Sequence, residues 1–482
     1  MKLPTLYRPL RDLPPLAGVC DFERAADPGL SVDACVARLK RFHYALQRMV
    51  QIFNARLTAE PVYELKMAYA HHAYLCSLHV DAARERVAEM RHPPLGLDKV
   101  PDPHLQLVFD EILAAPETVY LLVGVYEVAL PALIEAIGRH LVDTNPLADY
   151  PSVRLLKITR AECVEMRDYG RAAQECYRPE QEAAGADLAG WRNLLAGALA
   201  AAGALDGTEE KKIGAEIEPR FSAEGFDYSA YRSPRRDARF PDPYNMGVHA
   251  EEFLYDERFP PIAKTLMMYY KRLREIDVPE MMASIQFETR DRPWGFYRDM
   301  ARQLWDEARH AMMGEVGFAK LGIDWPRLVM VNFTWSKGLN EQLTPKERHA
   351  VLWFIEQGLM TKTGKRFEWE LGRDSGDPLA ELFQDYDWAD EVLHARIGRE
   401  WYVSEYDSIE EASRYGSECW SKVVSDWEAW KKEGLTEHRN WWPDLYRAFC
   451  ELRGETPDPE VLGFAATYAE TRADLQRIAA SG

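Results

Sequence analysis

Two short strings pair a carboxylate with an imidazole at helical spacing: Asp306-Glu-Ala-Arg-His310 and Asp390-Glu-Val-Leu-His394. On a helix, positions three apart share a face, so Glu307 sits beside His310 and Glu391 beside His394. Carboxylate oxygen plus imidazole nitrogen is a donor set suited to iron, manganese or zinc. A single Glu-x-x-His is a common solvated pair on charged helices. Two copies, each led by an aspartate and each with a glutamate upstream, point instead to a metal centre. The upstream candidates are Glu356 and Glu280, with Glu275 and Glu288 competing for the place of Glu280.

The neighbours of these glutamates set them apart. Phe296, Met300, Leu304, Glu307, Ala311, Gly314, Phe318 and Leu321 follow the three-four spacing of a packed helix face. His349, Leu352, Glu356, Leu359 and Thr363 share another face, and Glu391 lies among Trp388, Ala395, Gly398 and Tyr402. A carboxylate on such a stripe costs several kcal/mol unless it is protonated, paired or metal-bound. His349 is two turns from Glu356 and reads as a packed or surface histidine. Phe287, Trp305, Trp353 and Phe354 serve equally as core or as the lining of an apolar pocket.

The elements that must position these residues read as helices throughout. Helical patterns cover 32–57, 62–90, 104–141 with a kink or break at Pro131, and 152–176, with a further stretch at 190–197. Residues 205–261 are rich in turn signals and read as a connector. Helical pattern returns at 262–276 and 279–289, reverses at 290–295, and runs from 296 to 321 before Gly322. Thr344-Pro-Lys-Glu347 supplies an N-cap, a first-turn proline and a capping-box glutamate for a helix reaching about 363. A Gly/Asp-rich excursion through Gly376 follows, then a helix from Asp377-Pro378 to Tyr402 and two more at 408–434 and 441–453. Glu280 and Glu307 are equidistant from the Pro293/Trp294 junction, and Glu356 and Glu391 from Arg373/Asp374. In antiparallel hairpins both pairs meet near the middle of a four-helix bundle.

The expected ligand set is therefore Glu280, Glu307, His310, Glu356, Glu391 and His394. One glutamate from each of two helices plus Glu-x-x-His from each of two others is the di-metal carboxylate pattern. At these residues the stretch 262–402 resembles the ferritin-like di-iron superfamily. Asp-Glu-Ala-Arg-His is similar to the Asp-Glu-x-Arg-His string of bacterial multicomponent monooxygenases, and ribonucleotide reductase small subunits share its Asp-Glu pair. The resemblance implies an all-α fold of tandem ferritin-like four-helix bundles with a C-terminal helical extension. Its parts would be an irregular arm (1–30), a degenerate module (31–204), the connector (205–261), the metal-binding bundle (262–402) and the extension (403–482). It also implies two iron ions or a mixed manganese/iron pair, with O2, a small organic substrate and an external electron donor. Asp306 and Asp390 would orient the ligand histidines, and Arg309 would form ion pairs beside the site. The second copy departs from the pattern, with Leu393 where an arginine would stand.

The first module echoes the second without its imidazoles. Glu127 and Glu162 are equidistant from the Thr144/Asn145 junction, yet Glu162-Cys-Val-Glu165 has a glutamate in the histidine position. A supporting or homodimerising role is expected; the alternative is a second site built from His72, Glu127, Glu162 and Glu165.

Length and composition bound the rest. A chain of 482 residues with 47% hydrophobic and 28% charged residues has material for two or three globular domains. A net charge of −19, with no Lys/Arg block, argues against nucleic acid or anionic membranes as partners. Seven cysteines (Cys20, Cys35, Cys76, Cys163, Cys176, Cys419 and Cys450) form no Cys-x-x-Cys and suit reduced thiols. No signal-like N-terminus and no apolar run of membrane-spanning length are evident, so a cytoplasmic protein is expected. The function these features favour is a non-haem, O2-dependent di-iron oxidase or oxygenase. The alternatives are iron binding or radical storage without oxygenation, and a catalytically silent helical scaffold.

Overall fold

A computed structural model describes residues 7–90, 96–185, 187–211, 217–245, 247–331, 334–360, 364–423 and 427–468. Among the described residues the protein is all-α, and the one β feature is an isolated antiparallel bridge between Val248 and Thr467. The chain divides into two compact units: Met1–Ile52 with Leu75–Asp227, and Phe53–Tyr74 with Tyr228–Gly482. This division differs from a simple run of modules. The hairpin Phe53–Tyr74 belongs to the second unit, and the 205–261 connector is shared out at Asp227/Tyr228.

The principal helices of the N-terminal half are α1 (Val32–Leu57), α2 (Tyr63–Met90), α3 (Pro103–Ala114), α4 (Leu130–Asp143), α5 (Tyr150–Ala184) and α6 (Leu188–Ala201). The pattern over 104–141 proves to be two pieces. After α3 the chain restarts at Thr118, passes through a π-helical stretch at Val123–Ala129 and continues as α4. Pro131 therefore stands in the first turn of α4, where its missing N–H is accommodated by the wider turn before it. The whole stretch Thr118–Asp143 has a mean hydropathy of 1.8 in its most apolar window, long and apolar enough to cross a membrane. That is an exception to the reading of no such run; 67% of the window is buried, as in a core helix.

The second unit carries α7 (Pro261–Arg274), α8 (Asp277–Glu288), α9 (Trp294–Lys320), α10 (Thr334–Gln342), α11 (Pro345–Leu359), α12 (Lys365–Asp374), α13 (Pro378–Trp401), α14 (Ile409–Lys422) and α15 (Trp442–Arg453). Helix α9 packs on α7, α8 and α13; α11 packs on α8, α13 and α14; α12 packs on α13 and α7. Local chemistry sets these elements. Thr344 and Glu347 form a reciprocal capping box at the start of α11, and the Asp377 side chain caps α13 through the Leu379 N–H at 2.9 Å. Gly322, at φ 75°, ends α9 in the left-handed region. Gly314 lets α9 approach α7 closely, since a Cβ there would run into the Tyr269 carbonyl and the Leu273 backbone.

One expected loop is a helix. The stretch through Gly376 forms α12, whose buried residues are Lys365, Glu368, Leu371 and Gly372. Its inward face is largely charged, so apolar periodicity did not mark it. The region 408–434 also divides, into α14 and a short helix Trp427–Lys432; residues 361–363 and 424–426, over which helix was expected, lie outside the described ones.

Candidate metal centre

Helix α9 brings Glu307 and His310, α11 brings Glu356, and α13 brings Asp387, Glu391 and His394 into one buried region of the second unit. A seventh residue comes from the break between α7 and α8, where Glu275 caps α7 with φ −66° and ψ 1°. Both histidines are at most 1% exposed, and Glu307, Glu356, Asp387 and Glu391 are buried. Three sets of donors come together: Glu307, Glu356, Glu391 and His394; Glu275, Glu307 and His310; and His310, Asp387 and Glu391. Within each set the donor atoms lie within 4.8 Å of one another. Glu307 and Glu391 belong to more than one set, so the sets are contiguous.

Glu307 faces both ways. Its Oε1 is 3.1 Å from His394 Nδ1 and its Oε2 is 3.7 Å from His310 Nδ1. His394 Nδ1 is also 3.6 Å from Glu391 Oε2 and 3.9 Å from Glu356 Oε1. His310 Nδ1 is 3.3 Å from Glu275 Oε2 and 3.4 Å from Asp387 Oδ1. Donors bound at about 2.0–2.2 Å to a single ion stand about 3–3.5 Å apart, so these spacings suit shared coordination.

The satisfaction of the donor atoms is the strongest test of fit. Glu275 Oε2, Glu307 Oε1, His310 Nδ1, Glu356 Oε2, Asp387 Oδ2, Glu391 Oε2 and His394 Nδ1 are all buried, and none makes a hydrogen bond. Buried polar atoms without partners are costly, and several converging on one point are rare in a settled core. Cations coordinated there would give partners to those that face the histidines, Glu275 Oε2, Glu307 Oε1, Glu391 Oε2 and the two Nδ1 atoms, and the donor set fits them chemically. The charge balance points the same way. Burial and the neighbouring Glu391 and Glu307 carboxylates push the Glu356 carboxyl well above its usual range. Burial works against a charged imidazole at His394, yet the neighbouring Asp306, Glu307 and Glu391 carboxylates raise it well above the ordinary value.

The outer nitrogens of the two histidines are held crosswise. His394 Nε2 is 3.4 Å from Asp306 Oδ2, and His310 Nε2 is 3.2 Å from Asp390 Oδ2. Each aspartate thus supports the histidine of the other string, leaving both Nδ1 atoms turned inward. Arg309 donates to Asp306 and, at 2.6 Å, to Asp390 Oδ2; Arg302 also reaches Asp306 and Asp390. One guanidinium therefore serves both aspartates, and Leu393 needs no arginine in its place.

Glu280 is not brought to the cluster. Its Oε1 accepts from Lys66 and Arg236, and its Oε2 from Ser336 Oγ at 2.7 Å. The physical reason is the break at Glu275–Ile276, which starts a new helix and turns position 280 toward the Phe53–Tyr74 hairpin. Glu288 is held by Arg232 and, at 2.5 Å, by Arg348. Glu275, a competitor in the sequence, takes the place among the donors. Asp387 was missed; it lies one helical turn before Glu391, a signal the sequence did contain. Lys365 and Arg272 were missed as well. Lys365 Nζ lies 2.8 Å from Glu391 Oε1 and 2.9 Å from Asp387 Oδ1, and Arg272 pairs with Glu275, Asp387 and Glu368.

A cavity of about 390 Å³ borders Glu275, Glu307, Glu356 and Glu391, with Met281, Trp335, Leu339, Ile355 and Trp420 in its wall. At another part of its lining, Glu251 accepts from Arg274 at 3.0 Å and from Tyr468. None of Phe287, Trp305, Trp353 and Phe354 borders this cavity. In the first unit, Glu127 pairs with Arg192 and Glu162 with His79 at 2.7 Å. Among the described residues, the first-unit donors that converge are Cys35, His140 and Asp149; Glu127, Glu162 and Glu165 form no such set, and His72 belongs to the second unit. Comparison of the chain with family models, curated proteins and solved structures gave no match.

Proposed function

We propose that the second unit is a ferritin-like four-helix bundle holding two metal ions, iron or a mixed manganese/iron pair. In this reading it is an O2-dependent oxidase or oxygenase acting on a small organic substrate, with the first unit a degenerate relative of the second. The observation that carries the proposal is the set of seven buried donor atoms without hydrogen bonds, contributed from α9, α11, α13 and the α7/α8 break. Glu307, Glu356, Glu391 and His394 would hold one ion, and His310 with Glu275 and Asp387, each beside its Nδ1, would hold the other; Glu307 lies beside both histidines. Such an ion pair, when bound, would supply the chemistry of dioxygen reduction and substrate oxidation, with electrons from an external donor.

The chain's own residues do the rest. Asp306 and Asp390 fix the imidazole orientation, and Arg309 ties the two aspartates together. Met281, Trp335, Leu339, Ile355 and Trp420 of the adjoining cavity would give a substrate an apolar wall beside the carboxylates. That cavity favours substrate oxidation over iron storage. A second reading, a silent scaffold with a buried ion network, is favoured by the Lys365 and Arg272 pairs.

Metal analysis after aerobic reconstitution with ferrous iron separates the three. The proposal expects saturation near two irons per chain, and the loss of bound iron in Glu307→Ala and His394→Ala without loss of helical circular dichroism. Continued accumulation would indicate storage. Less than about half an equivalent would leave the scaffold reading.

A further inference from the structure

We infer that Lys365 makes the two metal positions unequal: the position among Glu307, Glu356, Glu391 and His394 fills first and tightly, and the position among Glu275, His310 and Asp387 fills only against the Lys365 ammonium. The inference rests on the di-metal reading above and adds an order of assembly to it.

Cations are distributed unevenly around the cluster. Lys365 is 1% exposed, and its Nζ lies 2.8 Å from Glu391, 2.9 Å from Asp387 and 3.7 Å from Glu275. Arg272, fully buried, pairs with Glu275 at 3.0 Å and with Asp387. Two of the three donors at the second position are thus already balanced by fixed positive charge. At the first position the picture is reversed. Among the described residues, no lysine or arginine pairs with Glu307 or Glu356; Glu356 Oε1 accepts only a neutral amide, Gln303 Nε2 at 3.0 Å. Glu391 lies on the divide. Lys365 holds its Oε1, while its Oε2 has no hydrogen bond and stands 3.6 Å from His394 Nδ1.

Charge then decides the order of filling. An ion entering the first position meets two carboxylates with no lysine or arginine partner, Glu307 and Glu356, an imidazole, and the one Glu391 oxygen that Lys365 does not hold. An ion entering the second must share carboxylates with an ammonium within one coordination sphere, where buried like charges repel strongly. Helix α12 positions that ammonium at its first residue, where burial allows it no retreat to solvent. The expected separation of the two dissociation constants is about 100-fold or more.

The test is an anaerobic titration of the metal-stripped, full-length protein with Co(II), followed by visible absorption and calorimetry. Wild type should take one equivalent tightly and a second at least about 100-fold more weakly. Lys365→Met should bring the second constant to within about tenfold of the first, while Lys365→Arg, which keeps the charge, should preserve the gap. Asp387→Asn should weaken only the second event, and Glu356→Gln only the first, so the inference stays testable if Lys365→Met does not fold. Two equivalents of equal affinity in wild type would overturn the inference and leave the di-metal reading standing. So would an unchanged gap in a folded Lys365→Met, or weakening of the tight event by Asp387→Asn. No bound Co(II) in wild type would remove both.

Discussion

At the scale of single residues, the centre depends on groups that touch no ligand position directly. Arg309 joins Asp306 to Asp390, and those aspartates hold the outer nitrogens of His394 and His310. Removing an outer partner of this kind costs about 10–100-fold in metal affinity. Arg309→Leu should therefore weaken metal binding by that factor in a competition titration with a chelator, while the saturating stoichiometry stays the same. His349 tests a different kind of burial. It packs against Phe296 and Tyr402, at ring distances of 5.9 and 5.5 Å, and burial followed by the nearby Arg292 lowers its imidazole to about 4. The folded value lies below the unfolded one of about 6.5, so the unfolded chain takes up the proton first. The contribution is fully present above about pH 6.5 and fades toward pH 4, for a total of about 3 kcal/mol. Urea midpoints of His349→Gln should fall less steeply than those of wild type over that interval; parallel curves would show that this histidine is not the source.

At the scale of elements, close helix approach holds the donors at one level. Gly314 on α9 faces the backbone of α7 at Tyr269 and Leu273, and backbone cannot give way as a side chain can. Gly314→Ala should destabilise the protein by about 1–3 kcal/mol in thermal or denaturant unfolding, and reduce metal affinity by spreading α7 and its Glu275 from α9. A variant as stable as wild type would contradict that packing. Helices with apolar seams were legible in the sequence: α9 carries Phe296, Met300, Leu304, Glu307 and Ala311 on its buried face, as the three-four spacing indicated. The Thr344 cap was equally legible because its chemistry is local. Glu280 was misplaced because equal distance from a turn presumes unbroken helices, and the chain breaks at Glu275–Ile276. Helix α12 was hidden because Lys365 and Glu368 face inward, and hydrophobic periodicity cannot register a buried ion pair. Long-range pairing of this kind is set by the fold and leaves no local signature.

At the scale of the whole molecule, carboxylates are used differently in the two units. In the first, Glu127 and Glu162 are matched by Arg192 and His79. In the second, Glu307 and Glu356 have no lysine or arginine partner among the described residues, and the donor atoms beside them remain without hydrogen bonds. The central claim is that cations complete the buried cluster of the second unit. Anomalous diffraction from crystals grown with excess Mn(II) or Fe(II), collected above and below the metal edge, tests it most directly. The account predicts two peaks about 3.5–4 Å apart, one beside His394 and one beside His310, with Glu307 between them. A cluster with no anomalous peak, its carboxylates closed onto Lys365, Arg272 and water, would contradict it.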